Sequence, residues 1–427
     1  MRRLQFDSVL LFALVVPFIM NYRLGSGETP FWLFGIIFSG LLSYICIDLF
    51  SLSRDAFNRT KDIALWFVTV VVIGSAFWAA MIVRHQTSPV YDVHDIIIQQ
   101  EAAIRYFLDG KNPYAETYFG TPLEQWNYSE TETNPALYHF VMQPFYLLFS
   151  LPFYYVSFRT VGFFDGRMPL LFLFFAMLVS AWALVKDRVD RRVFLILLAF
   201  NPAMIGYTLE GRSDIFMYAF LFAGWFLLYK HHTMLAGIPL AMAFAVKQSV
   251  WPMFPLYALY LFFVKHAEKD GHETIIHSLA FTVKNLIVFT IVYGAIVAPF
   301  MYRDSKAFID STVLYLTGSV PTSYPVSGYG AGMVLYKLGL ITDLSAYYPF
   351  GIWQVLVGTP LIIMLSMYLK RHPSVKRLVI SYGIFLMVYW YFSRYFNNSH
   401  VGYLSMVFLT AHFWPDDREM IEKTDAV

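Results

Sequence analysis

Runs of apolar residues long enough to cross a bilayer follow one another from end to end of this chain. They cover approximately residues 5–22, 31–52, 63–83, 136–151, 168–185, 192–208, 213–229, 233–249, 251–265, 275–299, 346–369, 378–395 and 398–414. A spanning helix needs roughly 17–25 predominantly apolar residues, and recurrence of that length is its signature. Only 14% of the 427 residues are charged and 58% are hydrophobic, against about 25% charged in a soluble domain. The pattern predicts an all-α fold: a polytopic transmembrane helical bundle of about 12–14 membrane segments, formed as a single integral membrane domain over 1–427. The net charge of +2 carries no basic patch, so no nucleic-acid partner is expected. Cys46 is the one cysteine, which excludes an intrachain disulfide. Met1–Tyr22 has a short basic start and an apolar core but no small-x-small cleavage site, and reads as a retained first helix.

Lysines and arginines between the runs set the orientation, because cytoplasmic loops hold the excess. Arg2 and Arg3, then Arg54, Arg59 and Lys61, place the N-terminus and the second connection inside. Lys230, Lys265, Lys269, Lys370, Arg371, Lys376 and Arg377 are inside by the same rule. One region conflicts. If 136–157 crossed once and 168–185 crossed next, the cluster Lys186–Arg192 would lie outside. A short or re-entrant segment around 152–165 resolves this and leaves Asp165 and Arg167 on the outer side, with both termini inside. Two outer loops are long, 84–135 and 300–345. Long connections in a compact protein are usually functional, so the active face is expected to be extracytoplasmic. The second loop holds Ser327–Met333, rich in glycine, with Tyr324 and Tyr329. It follows no strand and opens no dinucleotide-binding unit, and reads as an aromatic lid.

The first loop carries the most informative segment, Tyr91–Tyr118. Asp95 suits an N-cap, helical periodicity runs to Leu108, and Gly110 with Pro113 stops it. At about 100° per residue, Ile96, Ile97, Ala103, Ile104, Phe107 and Leu108 share a face, the pattern of an amphipathic helix lying on the bilayer. Asp95 and Gln99 project from one flank, four residues apart. Asp95 has two readings: a helix cap, or a general base that removes the proton of an acceptor hydroxyl. Asp92 is its nearest rival. His94 reads as an interfacial polar residue, since no second His or Cys stands at ligand spacing, and no metal site is expected.

An Asp in the loop after an early span, a short helix, Gly110-Lys-Asn-Pro113-Tyr114 and then Gln143-Pro144-Phe145 together resemble the GT-C glycosyltransferases. The likeness is closest to the multi-pass mannosyltransferases of glycosyltransferase family 87. Asn201-Pro202 followed by Gly211-Arg212-Ser213-Asp214, and Ala236-Gly237 followed by Ala243 and Lys247, match that family's later outer turn and its lysine-bearing span. The resemblance covers roughly 63–265. Two spans precede the usual first one, and Met142-Gln-Pro144 stands where Tyr-Pro-Pro is frequent. The resemblance implies a polyprenyl-phosphate-linked sugar as donor, mannose or another hexose, and a lipid, glycan or protein acceptor. It implies the first-loop Asp as base, inversion at the anomeric carbon, and no cofactor.

Other polar residues fit this frame or a plainer one. Lys247 lies late in a span, where a charge costs about 2.5–3.5 kcal/mol and marks function by default; it meets a donor phosphate or snorkels to the interface. Arg212 reaches the phosphate, or pairs with Asp214 in the turn they share. Arg394 and His400 flank the last outer turn and bind the leaving phosphate, or are solvated. Asp165 is a candidate second outer carboxylate, as in some GT-C enzymes. Asp92, Gln99, Tyr114, Asp165 and Asp214 complete the candidate substrate-binding set. Membrane lipids are the remaining partner. The rival readings are a transporter or lipid-carrier flippase, a non-catalytic membrane scaffold and a polysaccharide polymerase. A transporter predicts repeated halves and helices broken at mid-membrane, and the sequence has neither.

Overall fold

A computed structural model describes residues 3–21, 31–129, 132–267 and 274–415. Arg2 and Lys269, two of the orienting charges, lie outside these residues. The chain begins with α1 (Phe6–Asn21), α2 (Phe31–Ile47), α3 (Arg54–Thr87) and α4 (Asp95–Leu108). Short helices α5 (Pro144–Leu148) and α6 (Leu151–Thr160) lead to α7 (Arg167–Leu184) and α8 (Arg188–Ala199). Next come α9 (Ile205–Leu209), α10 (Asp214–Tyr229), α11 (Thr233–Phe244), α12 (Phe254–Ala267) and α13 (Ile275–Arg303). The second long loop holds α14 (Ser305–Ile309), α15 (Tyr315–Thr317), β1 (Ser327–Gly328) and α16 (Ala331–Lys337). The last part is α17 (Phe350–Arg371), α18 (Val375–Tyr391), β2 (Tyr395–Phe396) and α19 (Asn398–Phe413).

The fold is mostly helical. Four helices, α3, α7, α13 and α17, are long and apolar enough to cross a membrane, and α1, α2, α10 and α11 are shorter apolar helices. Their outward faces remain greasy: Phe12, Phe172, Ile291 and Val355 are all exposed. In water such a surface would aggregate; lipid is the medium that suits it.

Two buried charge clusters mark opposite ends of the bundle. At one end Lys61 meets Asp7 at 2.8 Å and Asp48 at 2.5 Å, while Arg192 holds Asp62 at 2.6 Å. At the other end Arg84, near the close of α3, holds Glu101 of α4 and Asp165. The apolar run 136–151 is not a crossing. Gln100 of α4 donates to the Tyr146 carbonyl and to Ser150 Oγ, and Asp165 returns to Arg84. The chain from 144 to 165 therefore folds back beside α4, with Asp165 and Arg167 at that end.

Helix α4 departs from expectation in its setting. It ends at Leu108 as expected and begins one residue early, at Asp95, but every residue from Ile96 to Ile104 is buried, so it is wedged into the bundle and does not lie on its surface. Its polar flank finds partners inside. Gln99 Nε2 donates to the carbonyls of Ala136 and His139, and Glu101 accepts both arms of Arg84. The apolar stripe alone hid this, because partners 17 to 50 residues away satisfy the polar side.

Candidate active site

The turn before α4 aims an acid into a cavity of about 760 Å³. His94, not Asp95, is the N-cap of α4: its backbone is extended and its Nδ1 accepts from the Ile96 amide at 3.3 Å. Asp95 is thereby the first helical residue, where the helix dipole favours a carboxylate. Its Oδ1 lies 2.7 Å from His94 Nδ1, and its Oδ2 accepts from Asn134 Nδ2 at 3.1 Å. That contact needs a proton between the two, so Nδ1 serves Asp95 in the tautomer that protonates it and the Ile96 amide in the other. Burial pushes the Asp95 carboxyl up, but His94, Asn134 and the nearby Arg212 outweigh it and hold the group below its ordinary value. Asp95 is thus a carboxylate at neutral pH, 15% exposed and open to the cavity.

The cations of the cavity come from two breaks in the bundle. The α9–α10 turn brings Arg212, which stacks on Tyr207 at 4.6 Å and touches Glu210 at 3.3 Å and Ser399 at 3.4 Å. Gly211 makes that turn possible. Its φ of +91° suits glycine, and a Cβ there would meet Ile97 of α4 at 2.3 Å. The α11–α12 break brings Lys247, whose Nζ lies 2.8 Å from Asp214 Oδ1. Both cations keep part of their surface open, 24% for Arg212 and 19% for Lys247. The second long loop closes the cavity with a π-helical turn, Asp310–Leu314, whose Thr312, Val313 and Leu314 line it. Gln248 ties this turn to the break by donating to the Thr312 and Val141 carbonyls. Such turns recur at functional sites.

Asp95, Gln99, Arg212, Asp214, Lys247, Arg394 and His400 therefore share one cavity. Two of these are committed elsewhere. The Arg394 guanidinium donates to the backbone carbonyls of Tyr324, Leu344, Ser345 and Ala346 and is 2% exposed, so it straps down the loop where a phosphate was expected. His400 caps α19 by accepting from the Asn397 amide, with its ring 4.4 Å from that of Trp390. Three expected residues do not line the cavity. Asp165 is fully buried between Arg84 and Arg167. Tyr114 donates to the Met142 carbonyl inside a cluster with Phe140, Phe300 and Phe308. Asp92 is exposed, and its φ of +46° marks a tight turn. The glycine-rich segment is also held: β1 pairs in parallel with β2, Ser327 opposite Tyr395 and Gly328 opposite Phe396.

Sequence reasoning missed His94 as the partner of Asp95, although adjacency was the signal. It also missed Asn134, whose Asn-Pro turn is a cue to local hydrogen bonding. Trp126 was unforeseeable: it donates to the Val93 carbonyl at 2.8 Å and packs beside His94. Among the described residues no group of three His, Cys, Asp or Glu is placed to hold a metal ion.

Comparison with family models, with curated proteins and with solved structures yields no match.

Proposed function

We propose that this chain is a membrane glycosyltransferase that moves a hexose from a polyprenyl-phosphate donor to an acceptor hydroxyl, with Asp95 as general base. One observation carries the reading: an ionised Asp95 opens into the same roomy cavity as two partly free cations, Arg212 and Lys247. A base and an anion-holding pair in one cleft are what inverting transfer needs. The acceptor hydroxyl gives its proton to Asp95, and its oxygen bonds to the anomeric carbon. The bond from that carbon to the phosphate oxygen breaks on the opposite face. The electron pair leaves with the polyprenyl phosphate, whose growing charge Arg212 and Lys247 stabilise.

In this reading the bundle crosses the membrane twelve times, by α1, α2, α3, α7, α8, α10, α11, α12, α13, α17, α18 and α19. The end away from the cavity carries Arg54, Arg59, Lys61, Lys186, Arg188, Lys230, Lys370, Arg371 and Lys376. By the positive-inside rule that end is cytoplasmic and the cavity extracytoplasmic, within reach of a lipid-borne donor.

The test is transfer of labelled sugar from a short-chain polyprenyl-phosphate hexose by purified protein. Asp95→Asn should lower turnover about 10²–10⁴-fold, the usual worth of a positioned base, with the unfolding temperature retained. Wild-type turnover in that variant removes Asp95 from the role.

A further inference from the structure

Beyond the base and the cations, the cavity has a wall of another character. Tyr128 from the first long loop, Tyr315 and Tyr324 from the second, and Tyr395 from the α18–α19 turn stand together there. Tyr324 is the hub: its ring lies 4.9 Å from Tyr395, 6.4 Å from Tyr128 and 6.5 Å from Tyr315, and all three pairs are inclined, not stacked flat. The four rings line the cavity at inclined angles, with Tyr315 the most deeply buried of them. Burial foremost, and the charge of Asp95 among the lesser causes, push the phenols of Tyr128, Tyr315 and Tyr324 up. The wall therefore offers neutral hydroxyls beside the base. Arg394, the charge set among these tyrosines, is spent on four backbone carbonyls.

These features restrict what fits. Among the described residues an anionic ligand finds no partly open cation on this wall; those of the cavity are Arg212 and Lys247, on other elements. An acyl or prenyl chain calls for aliphatic lining, and this wall is phenolic. A neutral molecule with flat apolar faces and a hydroxyl rim satisfies both halves of a tyrosine. That is the chemistry of a pyranose, whose axial C–H bonds form the faces and whose hydroxyls form the rim.

We propose that the tyrosine wall of Tyr128, Tyr315, Tyr324 and Tyr395 is a saccharide-binding subsite, and that the acceptor is a neutral glycan. The word acceptor rests on the transferase reading; the binding claim does not. Seated there, a sugar presents its hydroxyls towards Asp95, while the donor phosphate occupies the cationic side.

Saturation-transfer NMR on the full chain in nanodiscs, with mannobiose, maltotriose and chitobiose as probes, tests the claim. At least one probe should bind saturably at millimolar strength, with transfer originating from aromatic protons. Tyr324→Ala should weaken that binding at least tenfold, and Tyr324→Phe less, since the ring face remains. Tyr302→Ala, which removes a tyrosine that is 96% exposed and not in the cavity, should leave it unchanged. No saccharide binding, binding indifferent to Tyr324, or protection of the wall by a prenol or a peptide instead overturns the proposal. Saccharide binding together with full turnover of Asp95→Asn sinks the base and leaves the wall. Loss of turnover in Asp95→Asn with no saccharide binding does the reverse.

Discussion

Asp165 and Asp95 stand at the same end of one bundle, and their surroundings are opposite. Asp165 takes four hydrogen bonds, one from Arg84 and three from the Arg167 backbone and side chain, within a network that includes Glu101. It has no exposed surface. Asp95 meets the His94 imidazole and takes one bond from Asn134, and it keeps an open side towards a cavity. Both are carboxylates in a chain poor in charge. A charge among apolar helices therefore does not by itself mark a functional site. Unspent hydrogen-bonding capacity facing room for a ligand does. The Asp165 cluster pins α3, α4 and the start of α7 together, and this frame positions Asp95.

The largest effect should come from breaking the closed network. Arg84→Met leaves Glu101 and Asp165 buried with less compensation, and removing one partner of a buried ion pair costs about 3–5 kcal/mol. Thermal unfolding in detergent should show the loss, and transfer should fall with the folded fraction, not ahead of it. An Arg84→Met protein that unfolds like wild type yet cannot transfer sugar would invert the comparison and move the chemistry to Asp165.

The open side should behave otherwise. Lys247→Met removes a cation from the cavity at a site that is already partly solvated. A charge-assisted hydrogen bond contributes about 1.5–3 kcal/mol, so the donor KM should rise roughly 10–100-fold. Asp214, deprived of its partner, should cost some stability as well. The double variant Lys247→Met/Asp214→Asn separates the two effects: it should recover the unfolding temperature but not the donor affinity. Recovery of both would reduce the pair to a structural tie.

Much of this contrast was written locally, and part was not. The bounds of α4 were legible because their causes lie within the segment: its apolar periodicity and the left-handed Gly110, φ +75°, that stops it. Asp95 stood out because a polar segment interrupts a greasy chain. What sets Asp165 apart from Asp95 is remote. Arg84 lies 81 residues from Asp165, and no periodicity joins them. Arg394 is harder still, since its partners are the carbonyls of residues 48–70 positions away, and any residue type supplies a carbonyl. The cap itself was misassigned by one residue. Aspartate is the commoner cap, but a histidine Nδ1 takes that task here and frees the carboxylate for the cavity.

That displacement yields the mildest and sharpest test. Asp95 acts as a base only when ionised, so turnover holds above its pKa and fails below. Burial is the largest influence and raises that pKa; His94 is the first of the groups that outweigh it, followed by Asn134 and Arg212. His94→Gln removes the strongest influence that opposes burial and leaves burial in place. The pKa should rise, and the acid limb of kcat/KM should move to higher pH, while turnover on the alkaline plateau changes little. Gln can still reach the Ile96 amide, so α4 should keep its cap. A limb that stays in place would mean that His94 does not govern the ionisation of Asp95. The contact between His94 and Asp95 would then be structural, and the difference between the two aspartates would rest on exposure to the cavity alone.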